Sequence, residues 1–153
     1  REHREPVPIW IGLSRNSDFY FYTSMNSRIF CINTRDELIR LDGSKIVYME
    51  GDGNYTNIVL INKQKVSICM NLSRMQQLVS ESLRERAAIF VRVGKRFIVN
   101  ISFIYRVMPL QQSLMLTDGV NFAFRLGISK EALKQLKMML PSYATPVVTN
   151  KPE

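Results

Sequence analysis

The sequence predicts a strand-rich single domain with one helix between hairpins and a second helix near its end. Three observations point there. Short apolar runs recur from Arg28 onward, separated by polar tips, as closely spaced strands do. Two stretches instead repeat their apolar residues every three or four positions, the period of an amphipathic helix. A chain of 153 residues is long enough for one domain with a real core.

The elements follow in order. Residues 1–24 mix charge, prolines, Trp10 and an aromatic cluster around Phe19 and Phe21, with no clean period. They read equally as an extension outside the domain or as an arm packed on the core by Trp10, Phe19 and Phe21. The regular pattern starts after Met25, so the expected division is an extension over 1–25, a domain over 26–141 and a loose tail over 142–153. "RIFCINTRDELIRL" supplies one or two strands with a turn near Thr34-Arg35-Asp36. "KIVYMEG" is a short strand, and "YTNIVLI" and "VSICM" make a hairpin around Asn62-Lys63-Gln64-Lys65. Leu72, Met75, Val79 and Leu83 mark the first helix, with Asn71 or Ser73 as its cap. "FVRV" and "RFIVN" flank a glycine and two cations, and "LMLT" and "NFAFRL" flank Asp118-Gly119, a hairpin signal. Ser129 caps the last helix, Leu133, Leu136 and Leu140 form its apolar face, and Pro141 stops it.

Composition narrows the function. Hydrophobic residues are 46% and charged residues 22%, an ordinary globular balance. Lys and Arg number 21 against 13 Asp and Glu, a formal net charge of +8 that attracts polyanions: nucleic acid, acidic membrane or acidic protein. Cys31 and Cys69 form no CxxC pair and have no histidine near them, so they read as two buried free thiols of a cytoplasmic protein. No apolar run approaches the ~20 residues of a membrane-spanning helix. The sole histidine is His3, so no histidine-based triad or zinc site can be built inside the domain. GxxxxGK[ST] and GxGxxG are absent as well. Glu50 and Asp52 are acids without an identifiable partner. The expectation is a protein that is not an enzyme, with no cofactor, no metal and no small-molecule substrate.

Three polar stretches interrupt the strands. "EGDGNYTNI" joins two strands through a glycine turn in which Gly51 and Gly53 are expected at positive φ. It carries Asn54, Thr56 and Asn57, which can both donate and accept; taken alone, the plain-turn reading is the stronger. "VRVGKRFIVN" alternates Phe97, Val99 and Ile101 as a strand would, and Gly94 breaks the run. Lys95 and Arg96 then sit at a tip, either as a solvated turn or as a contact for an anion. Arg92, between Val91 and Val93, reads as structural, pairing across the sheet. "LGISKEALKQL" sets Lys130 in the first turn of a helix, where the dipole disfavours a cation.

In this order the motifs resemble the LytTR DNA-binding domain of bacterial transcription regulators. "IVYMEGDGNYTNIVL" looks like the family's strand, acidic residue, Gly-Asn-Tyr turn and strand. "FVRVGKRFIVNISFIYRV" is similar to its aromatic, arginine, basic loop and Val-Asn strand, and is the most specific of the three. "LMLTDGVNFAFRLGISKEALKQL" looks like its last hairpin and helix start. The likeness covers about residues 28–140. It implies a mostly β fold, an elongated array of short antiparallel sheets, reading duplex DNA through loops between strands. Carried over by position, contacts fall to Thr56 and Asn57 beside Asn54, to Lys95 with Arg96, and to Lys130 in preference to its acidic neighbour Glu131. Gly94 stands where the family usually has His, and Arg96 where it usually has Ser.

The function this implies is a sequence-specific duplex-DNA-binding transcription regulator, or its DNA-binding part. The partner is duplex DNA, with a homodimer on repeated sites as a further arrangement. The rival reading is a basic β-rich interaction module for a protein or an acidic membrane surface, which explains the charge but not three polar motifs in family order.

Overall fold

The computed structural model describes Ile9–Ile11, Phe21–Thr23 and residues 28–140. The first two segments are short strands, β1 and β2, that pair antiparallel with Ile9 opposite Thr23. β2 runs beside β3 (Ile29–Asn33) and the first helix, α1 (Leu72–Leu83). Phe19, the side chains of Trp10 and Phe21 and the expected loose tail after Pro141 lie outside what the structure describes, and the expected aromatic packing lies outside it with them.

The expected mostly β fold is the one observed: antiparallel sheets with one helix between hairpins and one at the end of the described chain. β3 pairs with β4 (Leu38–Asp42) around the turn at Thr34. The central sheet has five strands in the order β7-β6-β5-β9-β8, all antiparallel neighbours. They are β5 (Ile46–Asp52), β6 (Tyr55–Leu60), β7 (Lys65–Ile68), β8 (Phe90–Val93) and β9 (Phe97–Asn100). A three-stranded sheet holds β10 (Ile104–Met108), β11 (Ser113–Thr117) and β12 (Ala123–Gly127) in that order. The last helix, α2, spans Lys130–Met139. Among the described residues no helix is long and apolar enough to cross a membrane.

The central sheet is covered on both faces, and this explains its composition. Met49, Ile58, Ile68 and Ile98 face α1 and join Met75, Leu78 and Leu83 in one core. Phe97, Val99 and Val93 face the other way, into a second core with Leu114, Leu116 and Leu126 of the three-stranded sheet and Leu133 and Leu136 of α2. All four residues of β9 are therefore buried. The sequence expectation of a Phe97-Val99-Ile101 alternation is corrected here. Ile101 has left the strand for a 3₁₀ turn, capped by Asn100, whose Oδ1 accepts from the Ser102 amide at 2.9 Å. A strand sandwiched between two apolar layers has no polar face to show. Truncating a residue such as Met75 or Leu78 to alanine would cost about 2–5 kcal/mol.

Both helices start as their caps require. Asn71 accepts from the Arg74 amide at 2.8 Å, so Asn71 rather than Ser73 caps α1. Ser129 accepts from the Ala132 amide at 3.2 Å and caps α2. Two local expectations are corrected. Gly51 lies within β5, without positive φ; its lack of a side chain serves packing, since a Cβ there would come within 3.2 Å of the Leu72 Cβ. Cys69 is exposed, because the alternation of β7 carries on past Ile68 and turns it outward with Lys65 and Ser67, while Cys31 is buried.

Candidate nucleic-acid interface

Strand direction gathers the polar motifs at one end of the central sheet. β5 runs up to the turn Gly53-Asn54, and its antiparallel neighbour β9 departs from Gly94-Lys95-Arg96 at that same end, with Glu50 opposite Phe97. The Gly51 amide donates to the Arg96 carbonyl at 2.8 Å and ties the two turns together. α2 begins beside them: a Cβ on Gly94 would sit 3.6 Å from the Ala132 Cβ and 3.8 Å from the Ile128 Cγ2. An open groove of about 450 Å³ separates the turn from α2, lined by Lys95, Arg96, Ser129, Glu131 and Gln135 among others.

The local backbone explains the two glycines. Gly53 has φ +63° and begins a two-residue hairpin loop, the position where a type II′ turn asks for glycine. Asn54 is exposed at its tip. Gly94 has φ +70°, so the interruption of the apolar run marks a left-handed residue and not a bulge within a strand.

A row of polar side chains crosses the sheet below these turns. Asn57 lies opposite Glu50 on one side and Ser67 on the other. The Ser67 hydroxyl donates to Asn57 Oδ1 at 2.6 Å. Arg96 forms an ion pair with Glu50 and lies over the Phe97 ring, 5.4 Å from its centroid. Glu50, an acid with no partner visible in the sequence, thus has one 46 residues away. The Arg96 side chain is still 64% exposed, so its outer face stays open to solvent while part of its charge is balanced. Lys95 is exposed, and no ion pair among the described residues holds it.

Thr56 is the clearest correction. It is fully buried on the α1 side of β6, and its hydroxyl donates to the Met70 carbonyl at 2.8 Å. Neighbouring strand residues face opposite sides, so Asn57 faces out where Thr56 faces in. Thr56 closes the fold and cannot reach DNA from there. Arg92 is structural, as expected, but its partners are not across the sheet. Its guanidinium donates to Gln76 Oε1 at 3.0 Å and to the Lys95 carbonyl at 2.8 Å. Lys130 is partly buried and does not line the groove, whereas Glu131 and Gln135, one helical turn apart, do. Ser67 and Gln135 escaped the sequence reading, as did the partners of Glu50 and Arg92, because their places depend on pairing register and helix phase.

Comparison with known proteins agrees with this frame. The family model of the LytTr DNA-binding domain matches residues 36–141. The chain belongs to the LytTR DNA-binding domain family. It is similar to two regulators of Paraburkholderia xenovorans (strain LB400), "Heme-containing CO-sensing transcriptional regulator RcoM 1" and "RcoM 2". The identity is 30% and 28% over 106 residues, 69% of this chain and 37% of each relative. The chain thus spans little more than a third of the length of these curated relatives. In fold it resembles a solved LytTr DNA-binding domain from Bacillus cereus, with a TM-score of 0.54 and 20% identity, covering 74% of this chain and 97% of that one. The family match starts at Asp36, yet Phe30 and Ile32 of β3 are fully buried, so the core extends upstream of it.

Proposed function

We propose that this domain reads the sequence of duplex DNA through the turns at one end of its central sheet, as the DNA-binding part of a transcription regulator. The observation that carries the reading is the Gly94-Lys95-Arg96 turn. An exposed lysine is presented at a left-handed turn, beside the exposed Asn54 tip and the start of α2. Family membership and relatives named as transcriptional regulators support the same class of function.

The work is positional. Cations on phosphates release counterions and supply sequence-independent affinity. Polar tips supply discrimination at base edges. In this reading Lys95 enters the groove and reads a base, Asn54 and Asn57 add polar contacts, and Lys130 meets phosphate. Arg96 contacts phosphate with its exposed face, and its pairing with Glu50 makes it the weaker of the two turn cations.

Selection of bound sequences from random duplex DNA tests the class, and an enriched motif is the expected result. On the enriched duplex, Lys95→Ala should lose roughly 1–3 kcal/mol and relax preference at one base pair. Arg96→Ala should weaken all sequences alike and reduce the salt slope by at most about one unit. Neither change should move stability by more than about 0.5 kcal/mol, as at most surface sites. Unchanged affinity in both variants with unchanged melting would make the turn a solvated loop and remove the reading.

A further inference from the structure

The Lys95-Arg96 turn is held from two sides. On one side the Gly51 amide of β5 takes the Arg96 carbonyl at 2.8 Å. On the other, the Arg92 guanidinium takes the Lys95 carbonyl at 2.8 Å through Nη2. Through Nη1 the same group donates to Gln76 Oε1 at 3.0 Å and to Ser73 Oγ at 3.5 Å, both on α1. Arg92 is partly buried, with its Nε withdrawn from solvent and without a partner, so the planar group is committed to these acceptors. Two successive carbonyls pinned by different elements fix the peptide planes from which the Lys95 and Arg96 side chains depart.

We propose that Arg92 is a positioning residue for DNA reading: it braces the turn against α1 and sets the direction of Lys95 without touching DNA itself. The inference rests on the proposed role of that turn. It follows from guanidinium geometry, because a rigid fork can hold a carbonyl and a side-chain amide in fixed relation and a single ammonium cannot. Helix α1, which contributes no residue to the lining of the groove, thereby becomes part of the reading machinery through Gln76.

Two arms test it on the full chain, with Arg92→Lys and Gln76→Ala. The first needs no DNA. Amide hydrogen exchange at residues 94–97 should quicken in both variants, while the central strands keep wild-type protection. Unchanged exchange there would overturn the brace. The second arm measures affinity for the selected duplex and for a scrambled one at several salt concentrations. Both variants should lose roughly tenfold on the selected duplex, the value of one good base contact, and little on the scrambled one, with the salt slope unchanged. An equal loss on both duplexes would show a general electrostatic role and overturn positioning. A wild-type chain that prefers no duplex, with exchange altered as expected, would leave the brace standing and remove the DNA reading.

Discussion

Gly94→Ala separates the geometry of the turn from everything else in the domain. Gly94 has φ +70°, a region that costs an L-residue about 1–2 kcal/mol. The added Cβ would meet Ala132 at 3.6 Å and Ile128 at 3.8 Å, ordinary contact distances, so the penalty is in the backbone and not in a clash. Gly119 provides the control. It has φ +85° with open space around it, so alanine there carries the same backbone cost. It lies in the β11–β12 turn, at the far end of β12 from α2, and five strand residues put about 16 Å between those ends. Both variants should therefore melt with a loss of about 1–2 kcal/mol in denaturant titration. Their DNA binding should part company. Relief of strain at Gly94 rotates the Gly94–Lys95 peptide, next to the one that Arg92 holds, and moves Lys95, so affinity for the selected duplex should fall well beyond any drop seen with Gly119→Ala. Gly94→Val should be worse in both respects, since its branch also crowds Ala132 and Ile128. Equal binding by the two alanine variants would refute the claim that the turn's shape carries recognition. Gly94→Ala with unchanged stability would show that residue 94 tolerates a side chain without strain.

Thr56→Val should destabilise the domain by about 1–3 kcal/mol, because it strips the Met70 carbonyl of its buried donor, yet leave DNA discrimination intact; a binding loss without a stability loss would restore Thr56 as a contact. Asp118 is raised by desolvation but lowered more by hydrogen bonds from Val120, Asn121 and Phe122, which hold its carboxyl at about 2 against an ordinary 3.8. A depressed carboxyl stabilises the fold above its unfolded value and loses that contribution as pH falls through the folded one. The melting difference between wild type and Asp118→Asn should accordingly be constant above about pH 5 and vanish toward pH 2; a constant difference throughout would refute it. Residues 26–141 are expected to melt cooperatively and bind DNA without the first 25. Insolubility of that fragment would make the β1–β2 hairpin, whose β2 runs beside β3 and α1, part of the fold.

Local chemistry made much of this protein legible in its sequence. Caps at Asn71 and Ser129, the helical periods they open, the glycine tip at Gly53 and the Asp118-Gly119 turn act within a few residues of themselves, so they are readable where they stand. The order of the polar motifs carried the family likeness. Tertiary structure decided what the motifs do. The two-sided burial of β9 hid its period, because a strand covered by two cores shows no alternation. The half-turn between Thr56 and Asn57, which sends one hydroxyl into the core and leaves one amide outside, depends on which face α1 covers. The pairing of Arg96 with Glu50 and the reach of Arg92 to Gln76 depend on strand register and on the phase of α1 over the sheet. Those are properties of assembled elements, set by burial of both cores at once, and no single stretch of residues contains them.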